Sequence, residues 1–419
     1  MTLSLGVIAD DFTGATDIAS FIARAGWRVV QLNGIPRQPL PLDGVDAVVI
    51  SLKTRSCPAP EAISQSLAAC RWLRDRDCHR IYFKYCSTFD STPQGNIGPV
   101  TDRLLAETGS ALAILCPALP VNGRTLVNGY LFVNGQLLNE SGMQNHPLTP
   151  MTDANLLRVM DAQAAGNTGL IPLATLRRGA GAVREHLEAL RRQGIRYAVA
   201  DALDDADLTL LAQSLPDDVL LTGGSGLAGA LAALAPRDAE RSATPAVPPS
   251  TGRAVVLSGS CSRMTNMQVE QYRRQAPARA IDVTRCLENG ALYARELAQW
   301  VVEQPHRPAP MLFATQAVDV VRAVQARYGA AATGAAIEGL FADIALSLFG
   351  QGFSKFIIAG GETSSLITQR LGVGGFAIGQ TIAPGVPWVR DIGRPLWLAL
   401  KSGNFGDKDF FNQAQELYQ

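Results

Sequence analysis

Short apolar runs recur along this chain, separated by segments long enough for one amphipathic helix. In the first half they are Leu5 to Ala9, Ala47 to Ser51, Arg80 to Lys84, Ala111 to Cys116, Tyr197 to Ala200 and Val219 to Thr222. Between them lie stretches such as Ala59 to Asp75 and Gly181 to Arg192, whose apolar residues return every third or fourth position, the period of a helix with one buried face. A strand that is apolar along its whole length is covered on both faces, and intervening helices cover it when neighbouring strands run parallel. The expected fold class is therefore α/β with mostly parallel sheets. Later runs at Ala254 to Leu257, Met311 to Ala314 and Phe356 to Ala359 predict a second α/β domain.

Length agrees with this division, because 419 residues exceed one ordinary core and suit two domains of roughly 200 residues each. From Pro236 to Ser250 the chain turns polar and proline-rich, which predicts a linker over about 236–252. The expected domains are 1–245 and 246–419, with a cleft between them. No repeat of twenty to fifty residues interrupts this plan.

Charge excludes several classes of partner. The 37 acidic residues balance the 37 basic ones, so no net field holds nucleic acid or an anionic membrane, and any anion must be bound locally. No apolar run is expected to reach membrane-spanning length, and the start of the chain lacks the basic residues of a signal peptide. Seven cysteines, an odd number without a C-x-x-C pair, suggest reduced thiols and a cytoplasmic protein. The four histidines are scattered, so no zinc site is expected and no metal ligand is assigned.

Chemistry-bearing residues gather where strands are expected to end. Asp10 and Asp11 close the first strand and lead through Phe12-Thr13-Gly14-Ala15-Thr16 to Asp17, one helical turn on. One acid there is an ordinary helix cap; two, with a third a turn later, exceed what a cap requires and suit binding hydroxyls or accepting a proton. Lys84 lies inside an apolar run and must find an anion, either one of these acids or a substrate carboxylate or phosphate. Ser87 and Asp90 follow it in a hydroxyl-rich stretch, Arg55 follows the Ala47 to Ser51 strand, and Asn122 and Arg124 follow the Ala111 to Cys116 strand. These ends converge on an anionic, hydroxyl-rich ligand.

In the second half, Ser258-Gly259-Ser260-Cys261-Ser262 follows a strand and opens a helix, where small residues let backbone amides approach a phosphate. Gly360, Gly361, Glu362 and Thr363 repeat the arrangement, and the acid suits magnesium or a hydroxyl. Gly403 lies in a third such loop, Lys401 to Gly406, after the run Leu396 to Leu400. Gly224-Ser225-Gly226-Leu227-Ala228-Gly229 matches G-x-G-x-x-G, but the chain then enters the linker instead of a strand ending in an acid, which argues against a dinucleotide site. Its role stays open between a turn at the domain junction and a ligand loop. No G-x-x-x-x-G-K-[ST] or protein-kinase signature is present.

Taken in order, Ile8 to Asp17, Thr54-Arg55, Lys84 to Thr92, Leu257 to Ser262, Gly360 to Ser364 and Lys401 to Gly406 resemble the four-carbon acid sugar kinase family over nearly the whole chain. The opening block is similar to that of the branch acting on 3-oxo-tetronate; the threonate and erythronate kinases carry leucine where Phe12 stands and asparagine where Thr16 stands. The resemblance implies ATP in the C-terminal domain, contacted by Ser258, Gly360, Gly361, Glu362, Thr363 and Gly403, and the sugar acid in the N-terminal domain. It implies transfer to the terminal 4-hydroxyl, with Mg2+ as cofactor. In this reading the catalytic residues are Asp11, Asp10 and Lys84: Arg55 and Lys84 hold the substrate carboxylate, Asp10 or Asp11 orients the hydroxyls, and Asp11 is assigned as the base, with Asp17, Ser87, Asp90, Asn122 and Arg124 binding around the substrate. A homodimer is compatible with it. The rival readings are a threonate or erythronate kinase of the same family, a nicotinamide-dependent oxidoreductase and a sugar-acid sensor without turnover.

Overall fold

The structure, a computed structural model, describes residues 3–36, 40, 42–78, 80–145, 149–235, 246–314 and 329–418. It forms two compact units, Met1–Thr244 and Pro245–Gln419. Residues 236–245, most of the expected linker, lie outside the described residues.

The first unit runs β1 (Leu5–Ala9), α1 (Phe12–Arg24), β2 (Val29–Asn33), β3 (Ala47–Ser51), α2 (Ala59–Arg74), β4 (Ile81–Lys84), α3 (Ile97–Thr108) and β5 (Ala113–Cys116). A small antiparallel sheet follows, β6 (Arg124–Val127), β7 (Tyr130–Val133) and β8 (Gln136–Leu137), and then α4 (Leu156–Asp161) and β9 (Asn167–Ile171). The unit closes with α5 (Leu173–Leu176), α6 (Ala180–Arg192), β10 (Ile195–Ala200), α7 (Asp205–Ser214), β11 (Leu220–Gly223) and α8 (Ser225–Leu234). Its main sheet has the order β2-β3-β1-β4-β11-β5-β10-β9, parallel throughout. All five residues of β1 are buried, as two-sided helix cover requires. On α1 the buried residues Ala15, Ile18, Ala19, Ile22 and Ala23 form the stripe that packs on the sheet.

The second unit contains β12 (Arg253–Ser258), α9 (Arg263–Tyr272), β13 (Ala278–Ala280), α10 (Val283–Glu303), β14 (Met311–Phe313), α11 (Ala330–Gly350), β15 (Phe353–Ala359) and α12 (Gly361–Arg370). After these come β16 (Gly375–Ala383), β17 (Val386–Asp391), β18 (Trp397–Lys401) and α13 (Phe410–Glu416). Strands β13-β14-β12-β15-β18 are parallel, while β17 and β16 extend the sheet antiparallel. Trp388 sits at the centre of this unit's core, fully buried, with its indole N–H donated to Ala414 O.

The two units use the same chain path. In each, the first strand is followed by a strand two places away, then by one between them, and the fourth crosses to the other side of the first: β2-β3-β1-β4 and β13-β14-β12-β15. That crossing is a topological switch point, where loops on either side diverge and leave a crevice at the carboxyl ends of the strands.

Strand β2 escaped the sequence reading because Gln31 breaks its apolar run. It is buried nonetheless, its amide oxygen accepting from Thr16 Oγ1 at 2.8 Å. One expectation needs correction. The stretch Ala332–Gly350 is long and apolar enough to cross a membrane by length and composition. It carries Glu338 and Asp343, and turns one face, with Leu340, Phe341, Ile344, Ala345 and Leu348, into its own unit, while Leu346 is exposed.

Candidate active site

In the first unit the switch point lies between β1 and β4, and the charged residues meet there. Asp10 directly follows β1, and its backbone carbonyl receives the amides of Thr54 (2.9 Å) and Arg55 (3.1 Å), which brings the loop after β3 to the acids. Arg55 then grips Asp10 with two hydrogen bonds, Nε to Oδ2 at 3.0 Å and Nη2 to Oδ1 at 2.8 Å. The same Nη2 donates to Asp11 Oδ1 at 2.6 Å. Asp11 is also the N-cap of α1, accepting from Gly14 N at 2.9 Å and from Thr13 Oγ1 at 2.8 Å.

Their environments separate the acids. The Asp10 side chain is 4% exposed and that of Asp11 is 23% exposed, so Asp11 is the one within reach of solvent. Burial pushes the Asp10 carboxyl above its ordinary range against the pull of Arg55. At Asp11 burial also pushes up, but the Arg55 and Lys84 charges, with the Thr13 and Gly14 hydrogen bonds, outweigh it and hold the carboxyl below that range. Arg55 is half-buried, and its two acidic neighbours outweigh the desolvation and raise its pKa, securing its charge. The cluster presents one fixed, ionised carboxylate beside a fixed cation.

Lys84, the last residue of β4, lies beside these acids. It is 3% exposed, donates to Tyr85 O at 2.7 Å, and acts on Asp10, Asp11 and Asp17 through its charge. Its charge favours the ionised form of all three acids. Arg55, assigned with it to the substrate carboxylate, already serves both aspartates.

Asp17 points from α1 towards α8. Its Oδ2 accepts the Ser225 hydroxyl, while Oδ1 is buried with no hydrogen-bond partner among the described residues. Burial raises its pKa, opposed by Lys84, Ser225 and Arg124. Arg124 donates through Nη1 to Asn122 O, and its buried Nε has no partner among the described residues. Arg124 bears on Asp17 through its charge alone, and Asn122 meets Arg124 through its backbone carbonyl. The glycine-rich match finds its place here: it is the turn from β11 into α8, and its serine holds an acid of the site.

The loop after β4 is half-buried at Ser87 and Asp90, and Asp90 accepts from Thr88 Oγ1 at 2.6 Å. Phe89 between them is fully buried at φ +50°, a left-handed backbone that non-glycine residues seldom adopt. Burial pushes the Cys86 thiol up to about 11, so it stands as a neutral thiol beside Thr88.

One residue of this site gave no signal in the sequence. Asn96 sits at the start of α3, four residues beyond the Lys84 to Thr92 block and outside it, yet its buried amide donates to Thr54 O (2.6 Å), Cys57 O (3.0 Å) and Arg55 O (3.4 Å). It fixes the loop that carries Arg55. Only the fold shows that α3 begins beside the end of β3.

In the second unit the three glycine–serine loops follow β12, β15 and β18, which are adjacent strands. Their backbones interlock: Gly259 N (2.9 Å) and Ser260 N (3.0 Å) donate to Ala359 O, and Gly360 N donates to Lys401 O at 2.9 Å. Gly360 has φ +130°, where a side chain is strained, and it caps α12. A Cβ on Gly403 would stand 2.7 Å from Ser260 Oγ and 2.9 Å from Ser262 Cβ, so the third loop lies tight against the first. Glu362 is exposed in the first turn of α12, and Thr363 is buried beneath Gly259 and Gly360. Ser258 is itself completely buried as the last residue of β12, so the loop beyond it forms the surface. Two helices of ten residues, α9 and α12, begin at these loops and offer amide donors to an anion.

Comparison with known proteins agrees with this division of labour. Residues 5–231 match a sugar-binding N-terminal domain and residues 255–411 a nucleotide-binding C-terminal domain. A Pectobacterium atrosepticum protein named 3-oxo-tetronate kinase is 55% identical, covering 99% of each chain. Another of that name from Salmonella typhimurium is 54% identical, covering 100% of each. A crystal structure from Salmonella typhimurium, described as that of a tRNA synthase, superposes with a TM-score of 0.94 at 54% identity and covers 100% of both chains. A Haemophilus influenzae crystal structure gives 0.85 at 52% identity, covering 99% of this chain and 100% of the other. The chain belongs to the four-carbon acid sugar kinase family.

Proposed function

We propose that this protein is a cytoplasmic, ATP-dependent kinase that phosphorylates the terminal 4-hydroxyl of 3-oxo-tetronate. The observation that carries the reading is the identity of more than half of all positions to 3-oxo-tetronate kinases over both units. The acid–arginine–lysine cluster of the first unit and the three interlocked loops of the second give it a physical basis. The seven cysteines are all free, in keeping with a reducing compartment.

In this account the sugar acid binds at the ends of β1, β3 and β4. Asp11, ionised and reaching solvent, accepts the hydrogen bond of the reacting hydroxyl and later its proton. Arg55 meets the substrate from its seat on Asp10, with Arg124 as a second cation, Asn122, Ser87 and Asp90 around them, and Asp17 behind. The charge of Lys84 favours the ionised form of three neighbouring acids. ATP binds at the loops around Gly259 to Ser262, Gly360 to Thr363 and Gly403. Phosphoryl transfer asks mainly for positioning and charge neutralisation, which fixed amides and cations supply.

Among the described residues no three His, Cys, Asp or Glu side chains group as a metal site. Mg2+ carried on ATP phosphates needs one or two carboxylates and not an all-protein cage. Glu362, exposed beside the glycine loops, is the acid we assign to it.

The product tests the proposal. Phosphorus NMR of a reaction with ATP, Mg2+ and 3-oxo-tetronate is expected to show a phosphomonoester coupled to the C4 methylene protons. An ester at another carbon, or no ester at all, would overturn the assignment.

A further inference from the structure

Lys401 is the last residue of β18 and is fully buried. Its ammonium has no acidic partner within salt-bridge distance among the described residues. It donates instead to three oxygens: Thr265 Oγ1 at 3.0 Å, Ser402 O at 3.0 Å and Gly403 O at 2.9 Å. Burying a cation without a counter-ion is costly, and a leucine would suit the end of a core strand better on stability alone. Local rules are broken in this way where function gains from it.

The gain is visible at Gly403 O. Besides Lys401 Nζ, it accepts from Ser262 Oγ at 2.6 Å and from Thr265 Oγ1 at 2.7 Å. A carbonyl has two lone pairs, and three donors crowd this one, two of them from the fully buried Thr265 and Lys401. The peptide plane between Gly403 and Asn404 therefore has no freedom to rotate. Its bond is trans, since the one cis bond among the described residues is Arg307–Pro308, so its N–H points opposite to its C=O. With the oxygen drawn inward, the Asn404 N–H is turned outward, on an exposed residue, and it makes no backbone hydrogen bond among the described residues.

We infer that Lys401, with Thr265 and Ser262, is a positioning residue that locks the Gly403 peptide so that the Asn404 amide is presented to the nucleotide phosphates. Lys401 acts through this peptide and does not touch ATP. Preorganised amides stabilise an anion without paying for reorientation when it arrives. The inference rests on the reading of the Lys401 to Gly406 loop as part of the nucleotide site.

The test compares the full-length wild type with Lys401→Met, Thr265→Val and Asn404→Pro. The readouts are ADP affinity by calorimetry, sugar-acid affinity, and backbone hydrogen exchange of residues 402–406 without nucleotide. Lys401→Met is expected to weaken ADP at least tenfold, to speed exchange in the loop, and to leave the sugar-acid affinity within twofold. Thr265→Val shifts the same two readouts by less, and Asn404→Pro weakens ADP directly. If Asn404→Pro weakens ADP while Lys401→Met binds it normally, the positioning role is refuted and the loop reading survives. Unchanged affinity in both removes the loop from the nucleotide site. If Lys401→Met does not fold, Thr265→Val decides: faster exchange with weaker ADP supports the lock, and wild-type values for both refute it. A lower melting temperature with unchanged ADP affinity also refutes it, because that is what a merely structural lysine would give.

Discussion

Arg55 lies across two aspartates at once, its Nη2 2.8 Å from Asp10 Oδ1 and 2.6 Å from Asp11 Oδ1. A planar guanidinium can span two carboxylates with fixed geometry, whereas an ammonium on a flexible stem is a point charge. Arg55→Lys should therefore keep the charge and lose the clamp. The expected result is a fall in kcat/KM of at least about tenfold, on the order of 1.4 kcal/mol or more of transition-state stabilisation. Steady-state kinetics on the sugar acid measures it, and a KM for ATP within twofold of wild type would show that the nucleotide site is untouched.

Asp11 is held ionised by Arg55 and Lys84, which outweigh its burial. A carboxylate whose pKa is depressed stays charged above that lowered value, so activity through Asp11 persists into mildly acid solution and disappears only as the pH falls through it. Asp11→Asn should lower kcat by roughly a hundredfold or more, the usual worth of a positioned general base. Full turnover in the variant would show that another group takes the proton.

Asn96 donates one amide to three carbonyls of the loop that carries Arg55. Asn96→Ala leaves those oxygens without that donor, and should cost about 1–3 kcal/mol in chemical denaturation. It should also raise the KM for the sugar acid, because the cation is no longer fixed. A stability loss with unchanged KM would confine Asn96 to structure.

These residues show where sequence reading succeeds and where it stops. Strand β1 and strand β3 have the bounds their apolar runs predict, because an unbroken run buried on both sides admits one interpretation. Strand β2 was hidden by Gln31, whose buried amide is satisfied by Thr16 and by the Phe12 carbonyl, a pairing that exists only once α1 packs on the sheet. The residues at the strand ends could be picked out because parallel sheets direct such ends to one edge. Their partners could not: that Arg55, and not Lys84, would bond to Asp10 and Asp11 depends on the register of β1, β3 and β4. The Ser225 hydroxyl on Asp17 joins residues 208 positions apart, which no local pattern encodes.

Burial lowers the Lys401 pKa to about 7, well under its ordinary 10.5. Below pH 7 the buried lysine carries its charge in the fold and the full cost of burying it; between pH 7 and about 10 the folded state has released the proton that the unfolded chain still binds, so stability rises with pH. Wild-type melting temperature should therefore increase across that interval relative to Lys401→Met, measured at fixed ionic strength. Parallel curves for the two proteins would show that the lysine does not titrate there.

The central claim is the phosphorylation of one particular sugar acid, and a coupled ADP-release assay with ATP and Mg2+ tests it most directly. The panel is 3-oxo-tetronate, D- and L-threonate, D-erythronate and a control without acid. Turnover with 3-oxo-tetronate is expected to exceed that with every other acid; turnover with a threonate or erythronate in its place would contradict the substrate, and silence across the panel would contradict the kinase.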